Sequence, residues 1–229
     1  MKATIASLLL LSAVHASAAF SINLPGNTET GTWSGLNNAN YPSAVPTPEN
    51  PTPPNALDVL GAISASGSSA TFDKVSGGAY FISTNSGIYG GAAGPSAFSI
   101  SDASPILDLA TIVFQARTNT PPGSFSVTLS LNGNTTGPLA GLVPDFAMQA
   151  LVQGTTFDRA WQWDLSGITE EITSYEISFG TPMHALIDVT SPVSVHTSDS
   201  FVQVVPEPTT GLLAIAPLAF VVLRRRRAA

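Results

Sequence analysis

Ser124-Phe125-Ser126-Val127-Thr128-Leu129-Ser130-Leu131-Asn132-Gly133 is the stretch that decides the class of this chain. Phe125, Val127, Leu129 and Leu131 alternate with small polar residues, which is the period of a strand with one buried face. Asn132-Gly133 then supplies a tight turn, because both residues tolerate a positive φ. The same period returns at Tyr175, Ile177 and Phe179 between Ser174, Glu176 and Ser178, and continues through Met183, Ala185, Ile187 and Val189 after Gly180 to Pro182. Less regular strands are expected at Thr71 to Val75, Ala79 to Ser83, Ala97 to Ile100, Leu109 to Ala116, Phe146 to Val152, Ala160 to Leu165 and Phe201 to Val205. About ten short strands separated by Gly, Pro and Asn turns predict an all-β chain built as an antiparallel β-sandwich, jelly-roll-like. A solenoid would need a fixed repeat, and none is present. The helical candidate is short, around Ala56 to Ile63.

Composition agrees. The 229 residues include 19 Gly and 18 Pro, and only 10% are charged, which is poor material for surface helices. The formal charge is −7, yet Lys2 and Arg224 to Arg227 hold five of the eight Lys and Arg residues. Between them Lys74, Arg117 and Arg159 face all fifteen acids, so the repeated phosphate contacts of nucleic-acid binding are not expected. The absence of cysteine excludes disulfides, thiolate metal sites and a Cys nucleophile. Stability must come from an apolar core, and a domain of roughly 150 residues can bury enough surface for that.

From Asn37 to Asn55 the chain is dominated by Asn, Pro, Ser and Thr, with Pro42, Pro46, Pro48, Pro51, Pro53 and Pro54 forbidding a regular element. It reads as an extended arm. It is either a linker following a small strand near Trp33 or a loop inside the domain. The expected organisation is therefore 1–18, 19–55 with the Pro-rich arm, a β-domain over 56–205, and 206–229.

The two terminal segments read as addresses. Met1-Lys2, the apolar run Ile5 to Val14 and the small-x-small sequence Ala16-Ser17-Ala18 are the three parts of a secretory signal peptide, with cleavage after Ala18 or Ala19. A buried N-terminal helix would end in a cap instead of small residues. At the other end Pro206-Glu207-Pro208 precedes the charge-free segment Thr209 to Leu223 and then Arg224-Arg225-Arg226-Arg227. About fifteen residues give some 22 Å of helix, short of a hydrocarbon core near 30 Å, so the expected transmembrane helix (209–223) is a marginal span locked by the basic tail. Positive charge stays cytoplasmic, which leaves the β-domain outside.

This tripartite C-terminal segment resembles the PEP-CTERM sorting signal of exported proteins in Gram-negative bacteria. The resemblance covers about the last twenty-five residues. It implies recognition of Pro206, Glu207 and Pro208 by exosortase, a membrane protease-transpeptidase, and removal of the tail. It also implies transit from an inner-membrane precursor to the cell surface or extracellular matrix, in a family associated with exopolysaccharide. The motif suits recognition physically: two prolines hold the strip extended and present one carboxylate and an open backbone.

For chemistry in the domain the sequence offers little. There is no nucleophile elbow, phosphate loop, zinc-protease helix or EF-hand loop, so no catalytic residue is assigned. His184 and Asp188 share one face of a period-two strand, read either as a ligand or acid-base pair or as a solvent-facing polar row opposite Met183, Ala185 and Ile187. Trp161 and Trp163 share a face with Leu165, read either as core or as a carbohydrate platform for stacking sugar rings. Asp102, Asp108, Asp158 and Asp164 are oxygen donors of the kind Ca²⁺ prefers, or solvated loop acids. A glycosidase would need two carboxylates across a cleft, and no pair stands out. Three function classes follow: a structural or adhesive surface protein, a carbohydrate-binding module, and a polysaccharide-degrading enzyme.

Overall fold

In the computed structural model the residues described are 20–41, 57, 60–82, 87–90, 94–120, 124–188 and 190–205. The expected signal peptide with Ala16 and Ala18, most of the Pro-rich arm, and the segment holding Pro206 to Pro208, the apolar run and Arg224 to Arg227 lie outside them. Among the described residues thirteen strands follow one another: β1 (Thr28–Trp33), β2 (Ile63–Ser64), β3 (Thr71–Ser76), β4 (Tyr80–Phe81), β5 (Ile88–Tyr89), β6 (Ser96–Asp102), β7 (Thr111–Thr118), β8 (Val127–Leu131), β9 (Phe146–Gln153), β10 (Thr156–Asp164), β11 (Tyr175–Thr181), β12 (Leu186–Ile187) and β13 (Val193–Ser198). All pairings between them are antiparallel.

The strands form two sheets. In the first, β7 is central, with β10 and then β9 on one side. On its other side lie β12 and β13, which act as two halves of one interrupted strand: Ile187 pairs with Thr118 and Ser194 with Gln115. β5 and β4 extend the β12 half, and β1 extends the β13 half. The second sheet runs β2-β3-β6-β11-β8. Phe125, Val127, Leu129 and Leu131 are buried, as their alternation requires, and Asn132 and Gly133 both take positive φ (53° and 67°) in the expected turn.

The apolar faces of the two sheets meet in one core. Phe114 of β7 lies 5.0 Å from Phe179 of β11, and Trp33 of β1 lies 6.3 Å from Phe72 of β3. Phe72, Phe98 and Phe179 fill the second sheet's side of this layer.

Several expectations are corrected. The segment before the Pro-rich arm belongs to the domain, because β1 pairs along its whole length with β13 and Trp33 is buried in the common core. Residue 56 is therefore not a domain start. Of the short helix expected around 56–63, Leu57 is helical, while residues 60–62 have no regular structure and Ile63 begins β2. Phe201 to Val205 is not a strand of either sheet. The small strand expected near Trp33 is β1, whereas β2, β5 and β13 have no counterpart among the expected strands because short or hydroxyl-rich strands carry too few apolar positions to show a period.

Phe201 to Val205 instead crosses the outer face of the first sheet as a strap. Val113, Ala160 and Val205 form a second apolar cluster there, joined by Phe20, Ile22 and Leu24 from one end and Phe146, Met148 and Val204. Two side-chain amides fasten the covering segments. Gln115 Nε2 donates to the Phe20 carbonyl (3.0 Å); Gln162 Nε2 donates to the Val202 carbonyl (2.7 Å), while its Oε1 accepts from the Val204 and Val205 amides (3.0 Å each).

Candidate functional site

Trp161 and Trp163 are core residues, 7% and 1% exposed. The Trp161 ring stacks between Phe114 and Phe125, at 5.2 Å from each, and Trp163 Nε1 donates to the Leu142 carbonyl at 3.1 Å. The carbohydrate platform is overturned at this position: β10 directs these residues toward the second sheet, and no flat aromatic surface is left for a sugar.

His184 and Asp188 have separate hydrogen-bond partners. His184 sits in a turn at φ +61° before β12, its Nδ1 hydrogen-bonded to the Tyr89 hydroxyl. Asp188 instead caps the Thr190 amide at 2.8 Å. The strand expected through Met183 shrinks to two residues, and Met183 is 49% exposed where a buried position was expected. Proline at 182 and the αL residue at 184 keep the backbone from extending there.

The four acids named as Ca²⁺ candidates have separate local roles. Asp158 is buried and takes a bidentate pair from Arg117, Nε to Oδ1 at 2.7 Å and Nη2 to Oδ2 at 3.0 Å, which raises the guanidinium above its ordinary value. Asp164 accepts from the Ser166 amide and hydroxyl, and Asp108 occupies a turn at φ +55°. Asp102 is buried at the end of β6, where its Oδ1 accepts from Ser69 Oγ (2.6 Å) and the Ser104 amide (2.9 Å). Among the described residues no three acids or histidines gather as a metal cluster.

Other placements had no sequence signal. Arg159 points inward, its Nη2 donating to the Thr120 carbonyl and its guanidinium lying 5.9 Å and 5.5 Å from the Phe125 and Phe157 ring centroids. Burial lowers its pKa. His196 on the outer face of β13 contacts Thr30 Oγ1 and Ser194 Oγ, and burial pushes it down to about 4. Glu29 of β1 and Tyr175 of β11 both turn toward the inter-sheet space near Asp102, and both pKa values are raised, first by desolvation and then by that carboxylate. Glu29, Asp102 and Tyr175 come from three strands, β1, β6 and β11, so only the fold brings them together. Among the described residues one open cleft of about 380 Å³ lies beside Leu139, Leu142 and Trp163, and another of about 420 Å³ beside Asp102, Asn134 and Tyr175.

No family model, no curated protein and no solved structure matches the chain. Among the described residues no helix is long and apolar enough to cross a membrane.

Proposed function

We propose that the chain is an exported cell-surface or extracellular-matrix protein, sorted by its PEP-CTERM-like segment and processed by an exosortase, whose β-domain acts as a structural or adhesive module. The observation that carries this is the order of Pro206-Glu207-Pro208, the uncharged apolar run and Arg224 to Arg227. The strap supports it, since Val205 is buried and clamped by Gln162 immediately before Pro206, so the motif follows the folded domain without a spacer. Within this reading the two sheets form a jelly-roll-like sandwich. The chain alternates between sheets at β6, β7 and β8, then inserts β11 between β6 and β8 and β13 between β1 and β7.

The carbohydrate-binding alternative loses its main residue support with Trp161 and Trp163 in the core. A degrading enzyme would need opposed carboxylates in a cleft. Fractionation of cells expressing Glu207→Ala, or a chain without Arg224 to Arg227, is the test. The expected result is unprocessed protein in the inner membrane. Release of both variants at the wild-type rate and size would overturn the proposal.

A further inference from the structure

The core changes character at one rim. Along β1 the residues facing the second sheet are Trp33, Gly31 and Glu29; along β6 they are Phe98, Ile100 and Asp102; along β11 they are Phe179, Ile177 and Tyr175. Strand alternation thus ends each apolar row on a polar residue at the same edge, and Tyr175 is the cross-strand partner of Asp102. Two carboxylates, one from each sheet, converge there.

The loop between β2 and β3 closes the rim. Ser66 exchanges both backbone hydrogen bonds with Thr32 (2.9 Å each), which fixes the loop to β1. Ser69 then lies beside both acids: its backbone amide favours the charged form of the Glu29 carboxylate, and its hydroxyl donates to Asp102 Oδ1 at 2.6 Å. Its hydroxyl also lies 3.4 Å from the Ser104 carbonyl. Asp102 is 2% exposed, and its Oδ2 is fully buried with no hydrogen-bond partner among the described residues. The nearby charges acting on Glu29 and Tyr175 are all negative, while Arg117 is engaged with Asp158, Arg159 with Thr120 and Lys74 with the Ala79 carbonyl. A buried carboxylate oxygen without donor or counter-charge is strongly unfavourable, so the arrangement calls for a cation.

We propose that Glu29 and Asp102 form a Ca²⁺ site that ties the two sheets together at this rim. Asp102 Oδ2 and the Glu29 carboxylate balance a divalent charge, and the Ser104 carbonyl is a neutral oxygen within the same corner. Ca²⁺ accepts such irregular oxygen sets completed by water, whereas Mg²⁺ demands near-ideal octahedral geometry. The site does not depend on how the chain is sorted.

The test is titration of the purified chain, stripped with EDTA, using Ca²⁺ and Tb³⁺. Tyr175 beside the site should sensitise saturable Tb³⁺ luminescence that Ca²⁺ displaces. At Ca²⁺ a hundredfold above its Kd, the melting temperature should rise by roughly 5–10 °C over the EDTA form. Asp102→Asn and Glu29→Gln should each weaken Ca²⁺ binding more than tenfold, and Glu170→Gln should leave it unchanged. In EDTA Asp102→Asn should match or exceed the wild type in stability, since a buried unpaired charge is removed; a purely structural carboxylate would not give this crossover. Should Asp102→Asn not fold, Glu29→Gln carries the comparison, because Glu29 is only half-buried. A wild-type chain indifferent to Ca²⁺, or a Tb³⁺ signal that survives the substitutions, overturns the site.

Discussion

Gln162 fastens the strap, and replacing it with Leu separates hydrogen bonding from packing. The side chain is fully buried between Val113, Ala160 and the strap, so an apolar residue of similar size keeps the contact area. What is lost is the donor to the Val202 carbonyl and the acceptor shared by the Val204 and Val205 amides. At about 1 kcal/mol for each of three neutral hydrogen bonds, the loss is about 3 kcal/mol. Leaving two amides buried and unpaired would cost more, but the strap can lift and hydrate them, so release of the strap caps the penalty. For a domain of this size that corresponds to a melting temperature lower by roughly 5–12 °C. Hydrogen exchange gives the local measurement: the Val204 and Val205 amides should exchange on the order of 10²-fold faster, with the β7 and β10 amides much less affected. A melting temperature within about 1 °C of wild type, with both amides still protected, would refute the reasoning.

His196 makes a pH prediction whose sign follows from its lowered pKa. Held at about 4 by burial against an ordinary value of 6.5, it takes up a proton more readily in the unfolded chain. Stability therefore falls as pH drops from about 6.5 to 4, by at most roughly 3 kcal/mol and less in proportion to the ring's remaining solvent contact. Glu29, with a raised pKa, acts in the opposite sense, so the measurement is the difference between wild type and His196→Gln in urea melts across that range. A constant difference would sink the argument. Gly77→Ala should cost about 2–4 kcal/mol, because φ is +93° and a Cβ would meet the Pro95 carbonyl at 2.4 Å and Ser96 Cα at 2.5 Å, both backbone. Gly133→Ala, at φ +67° with open space, should cost only about 1–2 kcal/mol in the same denaturation assay, and equal costs would refute the steric account.

The strands legible in the sequence are those with one face fully apolar. β8 and β11 announce themselves because every second residue is buried against the opposing sheet. β7 and β10 are less regular for a physical reason: the strap covers the outer face of the first sheet, so Val113, Ala160 and Gln162 are buried on the side that would otherwise be polar. Burial on both faces erases the period that reveals a strand. The tryptophan pair shows the same limit, since Trp-Gln-Trp fits a surface platform and a core strand equally well, and only the opposing Phe114 and Phe125 decide between them.

The sequence by itself determined the all-β class, the Asn132-Gly133 turn, the exclusion of cysteine chemistry, and the terminal segments on which the sorting proposal rests. All of these are local properties, written in period, composition or contiguous order. Only the tertiary structure decided that Thr28 to Trp33 of β1 closes onto Ser198 to Val193 of β13, far along the chain, and that Gln162 holds the strap. It alone brought Glu29 and Asp102 to one rim, because strand alternation fixes which way a carboxylate points and sheet pairing fixes what it meets.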